Sequence, residues 1–204
     1  MEASSRLTQG LEKMGIVLST DVCAAQIAYL EMMQKWNRAF NLTAIRDMDQ
    51  MVIRHLLDSL SILPFIEASP ILDVGTGAGL PGIPLALARP EFDFVLLDSN
   101  GKKTRFLTQV KIELGIENIE IIHSRVEDYR PGKTFSIVTC RAFAALNTIL
   151  DRTQHLLTSE TRILAMKGKQ EMPDLDSGFK QVDSHPLQVA WLNEERQLIE
   201  IRTT

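Results

Sequence analysis

The chain has 204 residues, 45% of them hydrophobic and 24% charged, with 11 glycines and 8 prolines. This composition excludes a disordered or fibrous protein and suits one sizeable domain with a small accessory part. A formal net charge of -4 offers a polyanion no general attraction, so any nucleic-acid partner must be met by a local basic patch. Up to about Ala68 the apolar spacing is helical: Cys23, Ile27 and Leu30 share a face, and Val52, Leu56, Leu60 and Leu63 continue the pattern. Residues 1–68 are therefore predicted to form an N-terminal helical extension. From Pro70 onward short apolar runs at 71–74, 92–97, 119–122, 135–138 and 163–166 alternate with amphipathic stretches. Such alternation predicts βαβ units and a mostly parallel sheet covered on both faces, over residues 69–204. Pro81 and Pro84 fit the first turn of a helix with Pro90 beyond its end, and Gly115 closes a helix that starts near Gly101. Residues 182–189 and 197–201 read as two last strands. The stretch 191–195 between them makes a poor crossover helix, so an antiparallel pair is expected.

The two cysteines, Cys23 and Cys140, are too few for a disulfide framework and lack metal-ligand spacing. A reducing cytoplasm and no metal are the expectations. No apolar leader opens the chain, and the longest uncharged run, residues 74–88, is cut by four glycines and two prolines. Neither a secretory signal nor a membrane span is expected. One compact, monomeric unit is the simplest reading.

The strongest local signal is Asp73-Val74-Gly75-Thr76-Gly77-Ala78-Gly79-Leu80-Pro81-Gly82, between the first predicted strand and a helix. Glycines permit positive φ and close approach of a ligand to the main chain, while the helix start presents free N–H groups. Asp98, about 20 residues further on at the end of the second strand, can accept hydrogen bonds from ribose hydroxyls. A nucleoside-type cofactor follows, and the competing reading is a tight strand-to-helix turn with no ligand. Gly77 to Gly82 fits the dinucleotide pattern G-x-G-x-x-G, whereas Asp73 with the alternating glycines also fits the start of an S-adenosylmethionine site. An NAD(P)-linked oxidoreductase would want a Tyr-x-x-x-Lys pair on a helix. Tyr129 and Lys133 supply the letters, but Pro131 and Gly132 make a helix there improbable. A nucleotide-binding module without catalysis is the remaining alternative.

Further residues carry a family resemblance. Trp36-Asn37, Asn41-Leu42-Thr43-Ala44, Arg54-His55-Leu56-Leu57-Asp58-Ser59, the glycine loop, Leu97-Asp98-Ser99, Ser124-Arg125-Val126-Glu127-Asp128, Arg141-Ala142-Phe143 and Lys167-Gly168 follow one another in order. Together they resemble the bacterial glucose-inhibited division protein B family, 16S ribosomal RNA guanine-N7 methyltransferases. The resemblance implies a class I S-adenosylmethionine-dependent methyltransferase fold, Rossmann-like, with a seven-stranded sheet and an N-terminal helical extension. It also implies S-adenosylmethionine as cofactor and 16S rRNA, or the small ribosomal subunit, as partner, with guanine 527 as the target. By that likeness Gly75 and Leu80 line the cofactor, Val126 and Glu127 flank its adenine, and Arg141 closes the site beyond the fourth strand.

In a doubly wound sheet the loops after the first four strands gather at one edge. Asp73, Gly75, Gly77, Gly79, Leu80, Asp98, Val126, Glu127 and Arg141 are thus the candidate cofactor residues. Guanine N7 carries a lone pair and no proton, so its methylation needs no general base, and no catalytic residue is sought beyond the positioning Arg141 offers. Affinity for RNA should rest on phosphate contacts, with Arg46, Arg54, Lys102, Lys103, Arg105, Arg141, Lys167 and Arg196 as candidates. His55 is read evenly as an RNA contact or a partly buried structural histidine. Arg54 and Asp58 are read as an ordinary i, i+4 helix-surface ion pair.

Overall fold

The computed structural model describes residues 2–141, 146–168 and 179–203; Ala142 and Phe143 of the resemblance lie outside them. The chain opens with α1 (Ala3–Lys13) and the long α2 (Thr20–Phe40). Ser19 caps α2 by accepting a hydrogen bond from the Val22 N–H, and Asn41 ends it in the left-handed region at φ 50°. The buried stripe of α2 is Gln26, Tyr29, Leu30, Met33 and Asn37. It is rotated from the expected Cys23–Ile27–Leu30 face, because two polar side chains enter the core to meet main-chain carbonyls. Tyr29 donates to Ala78 O at 2.7 Å and Gln26 Nε2 to Pro84 O at 2.9 Å, satisfying groups that burial would otherwise penalise.

Next come α3 (Met48–Met51), capped by Asp47, a π-helical stretch Val52–Leu57, and α4 (Asp58–Leu60). Val52, Leu56 and Leu60 are fully buried and Leu63 nearly so; each contributes roughly 1.5–3 kcal/mol of hydrophobic stabilisation.

The α/β part runs β1 (Ile71–Val74), α5 (Gly82–Ala88), β2 (Phe94–Asp98), α6 (Gly101–Leu114), β3 (Ile119–His123), β4 (Ile137–Arg141), α7 (Leu146–Thr153), β5 (Arg162–Lys167), β6 (Phe179–Pro186) and β7 (Gln197–Thr203). One seven-stranded sheet has the order β3-β2-β1-β4-β5-β7-β6. Strands β1 to β5 are parallel; β7 is antiparallel to both β5 and β6. Strand residues alternate between two apolar layers. Ile71, Phe94, Leu96, Ile137 and Leu164 join α2, α5, α6 and the N-terminal helices on one face. Leu72, Val74, Val95, Leu97, Val138 and Ile163 pack with α7 on the other.

Strand limits differ from the apolar runs. Phe92 and Phe135 precede their strands, and Phe135 is buried outside any strand, because an apolar run reports burial and not pairing. The sixth strand is Phe179–Pro186 and not 182–189; the proline, which has no N–H to donate, stands at its end. The reversal of strand order between β1 and β4 opens the crevice where doubly wound sheets place their ligands.

Candidate active site

The loop after β1 is held from beneath by Asp73. Its Oδ2 accepts from Thr76 Oγ1 at 2.6 Å and from the Gly82 N–H at 2.9 Å, so one carboxylate fixes both ends of the glycine turn. Burial pushes the Asp73 carboxyl up to about 6, against the opposing pull of those bonds and of Arg141. Its Oδ1 has no hydrogen-bond partner among the described residues. From the side, Asp98 Oδ2 accepts from the Gly77 N–H at 2.8 Å while its Oδ1 accepts from the Asn100 N–H at 2.8 Å. Each oxygen keeps a second lone pair.

The loop glycines are not equivalent. Gly77 has φ +63°, and a side chain there would have open space, with Lys103 Nζ at 3.7 Å. Gly79 has φ +100°, and a Cβ would lie 2.5 Å from Ile83 Cγ1 and 2.7 Å from Leu107 Cδ2. Gly77 therefore borders the cleft, whereas Gly79 lets the loop sink onto α5 and α6.

Beside this loop lies a cleft of about 380 Å³ whose walls include Gly75, Asp98, Ser99, Lys103, Val126 and Glu127. Val126 starts a short 3₁₀ turn, Val126–Asp128, and is buried, while Glu127 is paired with Arg152 at 3.2 Å. The cleft thus combines an apolar wall, a carboxylate and main-chain groups of a glycine turn.

Past the ends of β4 and β5 is a second cavity, about 340 Å³, with Arg54, His55, Asp58, Arg141, Lys167 and Arg196 in its walls. Its frame is the buried Asp58. Oδ2 takes Arg141 Nη1 at 2.9 Å and Oδ1 takes Arg196 Nε at 3.0 Å; Arg141 also donates to Arg54 O at 2.8 Å. The expected Arg54–Asp58 surface pair is absent from this arrangement: Arg54 bonds Glu194 at 2.7 Å and Gln50 at 3.2 Å instead. Asp58 is buried with both oxygens taken by Arg141 and Arg196, while Arg54 faces outward to Gln50 and Glu194. His55 is buried, bonds Thr43 Oγ1 at 2.9 Å through Nε2, and is held down to about 4 by burial and by Arg141. It is a neutral wall residue at physiological pH.

The structure brings Gly75, Asp98, Val126 and Glu127 to the cleft, and Gly77 adjoins it through its bond to Asp98 and its nearness to Lys103. Asp73, Gly79 and Leu80 are buried behind the loop. Arg141, at the end of β4, lines the second cavity and not the cleft. Of the basic candidates, Arg54, Arg141, Lys167 and Arg196 converge on the second cavity, and Lys103 lines the cleft. Lys102 and Arg105 share the first turns of α6 with Lys103, and Arg46 lines a separate small hollow with Gln34, Asn37 and Arg38. Tyr129 and Lys133 lie outside any helix, and Lys133 pairs with Glu120. Sequence reasoning missed Tyr29, Asp58 as a bridge, and Glu194; only the Asp58 position in the Arg54–Ser59 string carried a hint.

The family model described as rRNA small subunit methyltransferase G matches residues 23–199. A ribosomal RNA small subunit methyltransferase G of Pseudomonas aeruginosa (strain LESB58) is 48% identical over 205 residues, covering 98% of this chain and 96% of the relative. Its counterpart in Ectopseudomonas mendocina (strain ymp) is 48% identical over 204 residues, covering 98% and 95%. Among solved structures, magnesium protoporphyrin IX methyltransferase from Synechocystis PCC 6803 with bound SAM superposes with a TM-score of 0.59 at 13% identity, covering 91% of this chain and 98% of that one. That likeness bears on fold alone, which is the class I methyltransferase fold. With the family model spanning most of the chain and near-half identity over its whole length, the chain belongs to the rRNA small subunit methyltransferase G family.

Proposed function

We propose that this protein methylates guanine N7 in 16S ribosomal RNA, at guanine 527, with S-adenosylmethionine as donor. The observation that carries the reading is the pair of cavities flanking the strand-order reversal, the second with Arg141 in its wall at the end of β4. The residues of the cleft fit the cofactor. Asp98 has lone pairs left for ribose hydroxyls, Val126 and Leu97 give adenine an apolar wall, and Glu127 lies beside it. Gly75, in the cleft wall, offers main-chain groups to the amino-acid end, and Asp73 holds that turn from beneath. Bound there, the cofactor supplies an electrophilic methyl group on a sulfonium.

The protein's own residues then have three tasks. Arg54, Lys167 and Arg196 meet phosphates and fix the register of the RNA. The cavity takes a guanine that is unstacked or in a loop, since a duplex blocks the approach. Its walls orient N7 toward the cleft, so that rate comes from in-line positioning and exclusion of water. No side chain has to take a proton, and neutral His55 and the doubly bonded Asp58 are consistent with that. The two free cysteines support a reducing compartment, the cytoplasm, and exposed large apolar side chains among the described residues are only Val17 and Ile112, which supports a monomer.

The test is chemical. Small subunits or 16S rRNA from cells lacking the enzyme are incubated with the protein and labelled S-adenosylmethionine, then treated with borohydride and aniline. An N7-methylated guanine is cationic and gives one strand cut; label confined to aniline-resistant positions or to large-subunit RNA overturns the assignment. Calorimetry with S-adenosylhomocysteine and with NADH separates the cofactor alternatives, and binding of NADH alone removes the methyltransferase reading.

A further inference from the structure

Two carboxylates pair with arginines of the second cavity, in contrasting settings. Asp58 is buried, its side chain 6% exposed, and each oxygen is committed to an arginine. Glu194 is 48% exposed and stands on the segment between β6 and β7. Its Oε1 accepts from Arg54 Nη2 at 2.7 Å and its Oε2 from Arg196 Nη2 at 3.0 Å, so one surface carboxylate bridges two guanidinium groups far apart in sequence. Each arginine is also steadied from behind, Arg54 Nε by Gln50 and Arg196 Nε by Asp58. The two forks would keep their aim without Glu194.

Two oxygens shared between two guanidinium forks is also how a phosphodiester presents its non-bridging oxygens to arginines. We propose that Arg54 and Arg196 form the seat of one RNA phosphodiester, and that Glu194 occupies this seat in the free protein as an internal stand-in that the RNA displaces. The inference rests on the reading of the second cavity as the RNA side. Displacement is easy for Glu194 and not for Asp58, because an exposed ion pair contributes little while a buried carboxylate stripped of one guanidinium is costly. Space for the displaced side chain exists: Glu194 also lines a neighbouring hollow of about 420 Å³ with Ser184, Leu187 and Glu195. The consequence is selectivity, since only a ligand presenting a phosphate at this spacing recovers what the exchange gives up.

The proposal predicts the sign of an effect. A short fluorescein-labelled single-stranded RNA containing guanine is titrated against the full chain and its variants by anisotropy across a salt series. Glu194→Gln should tighten binding roughly two- to fivefold at low salt. The dependence of log affinity on log salt should not steepen, because the same phosphate is seated in either protein, whereas Arg54→Ala should flatten it by about 0.7, the increment for one single-strand phosphate. S-adenosylhomocysteine affinity should not change. Glu195→Gln removes the same charge from an adjacent exposed side chain that has no guanidinium partner among the described residues. It should leave affinity nearly as it is, and the gain from Glu194→Gln should vanish in an Arg54→Ala background. Equal gains from both glutamines, or unchanged or weaker binding by a folded Glu194→Gln protein, overturn the proposal. If Arg54→Ala weakens RNA binding while Glu194→Gln fails to tighten it, the stand-in role alone falls. If neither the unaltered chain nor any variant binds RNA, the RNA reading falls and takes the proposal with it.

Discussion

The cleft and the second cavity lie on opposite sides of the strand-order reversal and are built by different means. The cleft is mostly local: a ten-residue turn supplies main-chain donors, and Asp98 reaches it from the adjacent parallel strand. The second cavity is assembled from side chains at 54, 58, 141 and 196, tied by one buried carboxylate, with Glu194 bridging Arg54 and Arg196 beside it. Backbone geometry governs the first and long-range charge pairing the second. The two should therefore fail in different ways.

The largest expected effect separates two glycines of one loop. Gly79→Val forces a side chain into Ile83 and Leu107 at φ +100°, and overpacking with backbone strain should cost roughly 3–5 kcal/mol. Urea unfolding should show a greatly weakened or unfolded chain. Gly77→Val meets open space, so its cost is the strain of φ +63°, about 1–3 kcal/mol. It should fold yet bind no S-adenosylhomocysteine, because the new side chain adjoins the cleft. Normal cofactor binding by a folded Gly77→Val protein would mean that the loop is not the site.

On the other side, Asp58→Ala should cost about 3–5 kcal/mol, the usual penalty for stripping a buried ion-pair partner. It leaves Arg141 and Arg196, each 19% exposed, without their shared acceptor. Asp58→Asn keeps an acceptor and serves where the alanine variant does not fold. In either, RNA affinity should fall much further than S-adenosylhomocysteine affinity. Equal losses would show that the two cavities are one site energetically.

This contrast explains what was legible in the sequence. Glycines, prolines and aspartates mark turns and caps by local chemistry, so the loop, α5 and the end of β2 were placed from letters alone. The parallel sheet and the antiparallel β6–β7 pair followed from apolar runs. Asp58 was visible only as a partner four residues from Arg54, a spacing that misleads because its two real partners, Arg141 and Arg196, come from distant strands and loops. Glu194 lay in a stretch with no pattern, and nothing in sequence links it to residue 54. Tyr29 was hidden for the same reason: an aromatic at helical spacing reads as core, and its hydroxyl contact with Ala78 O depends on how α2 docks on the loop.

A smaller effect concerns cofactor affinity. Asp98→Ala should weaken S-adenosylhomocysteine binding by roughly 1.5–3 kcal/mol, the value of hydrogen bonds to a charged group. The structure adds that Gly77 N–H and Asn100 N–H lose their acceptor. Asp98→Asn, which keeps an acceptor for one of them, should therefore recover part of the loss. If both substitutions leave affinity unchanged by calorimetry, the ribose assignment is wrong.

The smallest effects are shifts with pH, and here the two sides should move in opposite senses. Asp73, under the glycine loop, is raised from 3.8 to about 6, so between those values the folded state holds more protons than the unfolded one and ionisation on rising pH destabilises the fold. His55, beside the second cavity, is lowered from 6.5 to about 4; there the unfolded state holds more protons, and stability is lost as pH falls. Each shift corresponds to on the order of 3 kcal/mol, and in the unaltered chain the two partly offset. Removing either side chain exposes the other. Relative to the unaltered protein, Asp73→Asn should gain stability as pH rises from 4 to 6, because its amide carries no charge to bury and its oxygen can still accept from Thr76 and Gly82. His55→Gln should gain as pH falls from 6.5 to 4. Urea unfolding of the three proteins across that range decides the matter: parallel curves would mean that neither group titrates differently on folding, and curves diverging in the same direction would refute the opposed burial of an acid on one side and a base on the other.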